Sequence, residues 1–118
     1  MKRFVLISPA QREFEDMPVA LQAALGALIK VFRQNGALAP PQSKLVDPRK
    51  RIFEIRVQDN NLQGRVLYYY VDEDGTAYGL VAFIKKKQKT PKKELDLARQ
   101  RLQLLKQGVW KEEHNEEP

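Results

Sequence analysis

The sequence contains no cysteine. That excludes a disulfide framework, a thiolate metal site and a cysteine nucleophile. Its one histidine, His114, falls in a segment that reads as a solvated tail. No Ser–His or Cys–His nucleophile pair is therefore available, and a zinc site lacks its usual ligands. No run approaches the ~18 apolar residues that a membrane span needs. The apolar stretch Phe4 to Ile7 is too short for a signal-peptide core, and acids follow it at once, so it reads as a first β-strand. The six glycines form neither a phosphate-binding P-loop nor a dinucleotide fingerprint. Asp72, Glu73 and Asp74 sit together, but in a turn whose charge and propensity already account for them. From these absences we expect no metal, no organic cofactor, no membrane partner and a cytoplasmic location.

What the chain has in plenty is positive charge. The net charge is +6, and its distribution matters more than its total. The last eight residues, KEEHNEEP, carry four acids and one lysine. Residues 1–110 therefore hold 20 basic and 11 acidic residues, a charge of +9. A domain this basic attracts polyanions and meets them quickly. The 118 residues suit one domain that can bury a core without staples. We expect that domain over 1–110 and an acidic, disordered tail over 111–118.

Local signals give the order β-α-α-β-β-β-α. Lys2 to Ile7 reads as a strand, and Ser8-Pro9 as the cap and first residue of a short helix to about Met17. Pro18 opens a second helix in which Leu21, Leu25, Leu28 and Phe32 form an apolar stripe. Asn35-Gly36 ends it, with glycine free to take the left-handed position. From Lys44 the period changes to two. Glu54 and Arg56 then share one face with Ile52, and Phe53, Ile55 and Val57 the other. Gln58 to Gln63 is a turn; Arg65, Leu67 and Tyr69 alternate with Val66, Tyr68 and Tyr70. After the DEDG turn a third strand, Ala77 to Lys85, is apolar on both faces and so belongs inside the sheet. Thr90-Pro91 starts a last helix with the stripe Leu95, Ala98, Leu102 and Leu105. The fold class is α+β: a small antiparallel sheet with an N-terminal helix pair and a C-terminal helix, the helices on one side.

Chemistry in this chain must come from cations. The segment FIKKKQKTPKK runs from an apolar strand directly into six lysines, Lys85, Lys86, Lys87, Lys89, Lys92 and Lys93. It is either a solvated patch or a phosphate-binding rim at the end of the sheet. Arg56 and Arg65 fall mid-strand and share a face if their strands form the hairpin, with Glu54 able to hold Arg56. Tyr69 shares the face of Arg65 and is the tyrosine placed to stack on a base. Such a face can cut RNA without histidine. The 2′-hydroxyl is the nucleophile, clustered cations stabilise charge on phosphorus, and a lysine crowded by other cations acts as base. Arg65, taken as solvent-facing, should then be replaceable by alanine without unfolding.

Three pieces occur in order: Phe53-Glu54-Ile55-Arg56, Gly64-Arg65-Val66-Leu67-Tyr68, and Phe83 to Pro91, followed by Glu94 and the helix LDLARQR. Together they resemble the phage-derived, HigB-like branch of the RelE toxin superfamily, over roughly residues 3–105. The resemblance implies a RelE-like fold and the toxin of a type II toxin–antitoxin pair. Its activity would be ribosome-dependent, metal-independent mRNA cleavage. It also implies neutralisation by a cognate antitoxin, a helix-turn-helix protein. Arg56, Arg65, Lys85 and Lys86 match the family's catalytic basic positions, and Glu54 its positioning glutamate. Glu54, Tyr69, Lys87, Lys89, Lys92 and Lys93 are then the RNA-binding residues. Gly64 departs from the pattern, standing where an aromatic usually precedes the arginine. The C-terminal segment offers Trp110 but no tyrosine for the role an aromatic or histidine fills in some relatives. The other readings are a non-catalytic, phage-derived nucleic-acid-binding module or degenerate toxin, and an interaction protein whose basic face docks an acidic partner.

Overall fold

Side-chain alternation on two central strands decides the architecture, because it divides the core in two. The elements are β1 (Arg3–Leu6), α1 (Ser8–Glu15), α2 (Val19–Asn35), β2 (Ser43–Asp47), β3 (Ile52–Asp59), β4 (Leu62–Val71), β5 (Thr76–Lys85) and α3 (Lys92–Lys106). They are seen in a computed structural model that describes residues 2–71, 73, 75–85 and 91–110. The expected acidic tail, 111–118, and the stretch 86–90 lie outside the described residues.

The strands form one sheet in the order β1-β5-β4-β3-β2. The three strands read from the period-two pattern pair antiparallel as a meander, β3 with β4 and β4 with β5. The turn Asn60-Asn61 joins β3 to β4, and Asn60 takes a positive φ of 54°, which asparagine tolerates. Gly36 caps α2 in the left-handed conformation, as its place in the sequence suggests.

Four details differ from the sequence reading. The α+β class stands, but the sheet is mixed: β1 runs parallel to β5. A further strand, β2, pairs antiparallel with β3 in a segment read only as a change of period. Ile7 rather than Ser8 is the N-cap of α1, and α3 begins at Lys92 with Pro91 as its cap residue. Helices also cover both faces of the sheet, not one. Phe53, Ile55 and Val57 with Val66, Tyr68 and Tyr70 pack under Leu21, Leu25, Ile29 and Phe32 of α2. Ile52, Leu67, Leu80 and Val81 pack against Ala10 of α1 and Ala98 and Leu102 of α3. Strands β4 and β5 are apolar on both sides, so each face needs its own cover.

Polar contacts tie α3 to its face. Arg101 makes two bonds of 2.9 Å to Glu13 of α1 and donates to the Leu80 carbonyl. Glu13 in turn accepts from the Ala82 amide. This clamp sits at the register shift between β4 and β5, where backbone groups leave the regular ladder. Nearer the β2–β3 turn, Arg99 bonds Asp47 at 2.8 Å and Asp96 at 2.9 Å. The apolar cluster under α3 reaches Leu67 on β4 and Phe83 on β5. The next positions outward on the same face are Arg65 and Lys85.

Candidate active site

Strand register brings the site together. Arg56 and Arg65 are direct cross-strand partners, so both side chains leave the sheet on one face, a few ångströms apart. Gln63 lies opposite Lys85, and Lys44 of β2 lies opposite Glu54. Four cations, Lys44, Arg56, Arg65 and Lys85, thus gather around one carboxylate.

Glu54 is the centre of the arrangement and is fully buried. Its Oε1 accepts from Nη2 of Arg56 at 2.8 Å and from Nη1 of Arg65 at 2.9 Å. Arg65 is 1% exposed and also donates through Nη2 to Oε1 of Gln63 at 2.5 Å. It is the largest fully buried side chain among the described residues, which corrects its reading as a solvent-facing arginine. A charge so deep is costly to bury, and Glu54 and Gln63 are among the groups that satisfy it. Arg65 therefore sets the position of Glu54, and Glu54 sets Arg56. The Arg56 side chain keeps 27% of its surface open and is the guanidinium a ligand can reach.

Lys85 is also buried, at 6% exposure, and its Nζ has no hydrogen-bond partner among the described residues. Burial pushes its amine below the ordinary lysine value, and the Arg65 charge adds to this. Glu54 opposes the shift, while Arg56 and Lys44 reinforce it. Nε of Arg56 likewise lacks a partner among the described residues. A buried cationic donor without an acceptor is costly. Two of them lie on one face, Arg56 Nε and Lys85 Nζ, and neither has an acceptor among the described residues.

The remaining sequence-predicted residues fall elsewhere. Tyr69 shares the face of Arg65, as alternation requires, but packs in the apolar cluster, with Nζ of Lys106 5.2 Å from its ring centre. It is two face positions from Arg65 and not part of the cation group. Lys92 and Lys93 are exposed in the first turn of α3, and Lys92 pairs with Asp96 at 2.9 Å. Lys86, Lys87 and Lys89 lie outside the described residues. Gly64 points away from the cations, toward Leu21 and Leu25 of α2, where even a Cβ would stand 3.3–3.4 Å from their side chains. The missing aromatic at this position therefore leaves the basic face untouched. Trp110 packs against the cluster under α3. The sequence reading does not include Lys44, Gln58 and Gln63: alternation from Arg56 and Arg65 points to Gln58 and Gln63, whereas Lys44 joins them only through the pairing of β2 with β3. Among the described residues no group of three potential metal ligands occurs.

Comparison with known proteins bears on this geometry. A family model described as phage-derived protein Gp49-like matches residues 12–103. The chain is 32% identical over 108 residues to a Mycobacterium tuberculosis protein named probable endoribonuclease HigB1, covering 92% of this chain and 78% of that one. The fold is similar to that of a free mutant form of the Escherichia coli toxin RelE. The TM-score is 0.63 at 12% identity, over 86% of this chain and 98% of that one. It is similar as well to a chain of the intact E. coli RelBE toxin–antitoxin complex. There the TM-score is 0.57 at 10% identity, over 75% of this chain and 100% of that one.

Proposed function

The chain belongs to the phage-derived Gp49-like family of RelE/HigB-type toxins, and we propose that it is an endoribonuclease toxin that cuts mRNA on the ribosome in the cytoplasm. The observation that carries this reading is the cation group around Glu54, in which Arg56 Nε and Lys85 Nζ have no partner among the described residues. A phosphodiester supplies the acceptor both lack. The identity to a protein named as an endoribonuclease supports the same reading.

Each residue has a role set by its surroundings. Lys85, its amine lowered by burial and neighbouring cations, accepts the proton of the RNA 2′-hydroxyl. The 2′-oxygen attacks phosphorus, and Arg56 stabilises the charge that builds on the phosphoryl oxygens. The bond to the 5′-oxygen breaks, and a lysine at 86 or 87 returns a proton to that oxygen. The products are a 2′,3′-cyclic phosphate, or the 3′-phosphate that follows from it, and a 5′-hydroxyl. No metal enters this scheme. Arg65 and Glu54 are positioning residues that hold Arg56. Lys87, Lys89, Lys92 and Lys93 hold the RNA backbone.

The partner is an antitoxin, a helix-turn-helix protein that neutralises by covering the basic face. The comparison chain from the E. coli RelBE complex, a toxin–antitoxin assembly, supports the partner class. Inducible expression in bacteria tests the whole reading. Growth should stop, primer extension should reveal new mRNA ends, and co-expression of the small protein encoded beside this gene should restore growth. Growth and mRNA both unaffected by the induced, soluble protein would overturn it.

A further inference from the structure

Backbone cations bind any RNA sequence, because phosphates carry no base identity. A neutral donor–acceptor set beside them has a different use. A cleft of about 220 Å³ opens next to Arg56, lined by Pro41, Gln42, Arg56, Val57, Gln58 and Gln63. Three of its six walls are glutamines. Their grouping follows from register. Gln42 extends β2 by one residue, its carbonyl accepting from the Arg56 amide at 3.0 Å, which sets it beside Arg56. Gln58 and Gln63 are cross-strand partners one face position further out.

The amides are equipped differently. Gln63 spends its Oε1 on Arg65, which leaves its amide nitrogen to donate. Gln58 holds the Asn60 carbonyl through its nitrogen at 3.3 Å, a long bond, and keeps its oxygen to accept. Gln42 is exposed, with no side-chain bond among the described residues. Donors and acceptors therefore stand side by side around a space that fits one planar heterocycle. Pro41 gives that space an apolar wall and the Arg56 guanidinium a flat cationic one, both of which stack on a base. Amide side chains recognise bases by pairing their own donor and acceptor with those of a base edge.

We infer that this cleft is a nucleobase-reading site in which Gln42 and Gln58 select the base next to the phosphate held by Arg56. The inference rests on the endoribonuclease reading and adds to it the source of sequence preference. The same guanidinium that binds the phosphate is a wall of the cleft, so the base read is adjacent to the bond cut. The base preference of the toxin then belongs to the loop 37–42 and the outer end of the β3–β4 hairpin, apart from the Glu54–Arg65 pair.

The test compares the wild-type chain with Q42A/Q58A, expressed from a tight inducible promoter, with sequencing of all new 5′-hydroxyl RNA ends in the cell. Both positions are exposed, so thermal unfolding of the purified proteins should coincide. The wild type should favour one base, at least tenfold, at a single position beside the cut. In the double variant cleavage at favoured sites should fall to the rate at the others, removing that ratio. A wild type that cuts without base preference, or a double variant that cuts with undiminished preference, would overturn the inference while leaving the nuclease reading intact. A wild type that makes no new ends would overturn both.

Discussion

Arg56 and Arg65 look equivalent in the sequence, and their burial separates them. Arg56→Ala removes the reachable guanidinium while Glu54 keeps its bond to Arg65. Cleavage should fall by about 10²–10³, the scale of losing one preorganised donor. Stability should change by no more than about 1 kcal/mol, the range of a part-exposed ion pair. Rates and urea melts on the same preparations check both. Arg65→Ala should instead destabilise by about 3–5 kcal/mol, because it strips a fully buried carboxylate of a partner. A melt close to wild type would show that Glu54 is not held as described. Lys85 titrates in the opposite sense to a stabilising pair. Its folded value is lowered, so the unfolded chain binds the proton more readily. Stability from this group is therefore present above pH 10.5 and lost as pH falls through the lowered folded value. Lys85→Met should abolish cleavage and raise the melting temperature at pH 7, with the gain shrinking as pH rises. A destabilised Lys85→Met protein would mean that the amine is paired. Alternation placed Glu54, Arg56 and Arg65 on one face, and the family resemblance added Lys85; the strand register brings all four together. The sequence did not reveal the depth of Arg65, because alternation fixes a face and not how far α3 and the neighbouring strands cover it.

At the scale of elements, the meander β3-β4-β5 was legible because its turn residues and alternation agree. Strand β2 was not, since five residues after a proline-rich loop carry little pattern, and its pairing with β3 is a tertiary event. The second helix layer escaped notice for a related reason. The two-sided apolar character of β5 is visible in the sequence, but which helix covers which face is decided by tertiary packing. The contact that docks α3 near the β2–β3 turn makes its own prediction. Burial raises the Asp47 carboxyl. The Arg99 bond, the Lys50 and Arg49 amides and the Arg99 charge together outweigh this and leave it lowered. Its stabilisation is thus complete above pH 3.8 and is lost as pH falls through the lowered folded value. Asp47→Asn should cost about 1 kcal/mol at pH 7, and the gap to wild type should narrow below pH 4. An equal gap at both pH values would show that the Asp47 charge contributes nothing to docking.

The whole molecule is a basic body whose charge is focused by the sheet. Residues 1–110 carry +9, yet the lysines and arginines do different work according to place. Arg99 and Arg101 fasten helices, Arg65 and Glu54 form a buried frame, and Arg56 and Lys85 keep donors with no partner among the described residues. Composition predicted attraction to polyanions and could not distribute these roles, because each depends on which acid lies within reach after folding. The claim at the centre is that cleavage uses the RNA's own 2′-hydroxyl at this cation group. Its most direct measurement is the end chemistry of RNA cut in cells by the wild type and by Arg56→Ala at matched protein levels. The wild type should leave 2′,3′-cyclic phosphate or 3′-phosphate ends with 5′-hydroxyls, and Arg56→Ala should leave about 10²–10³-fold fewer of them. Ends bearing 3′-hydroxyls, or wild-type levels of cleavage by Arg56→Ala, would contradict the account.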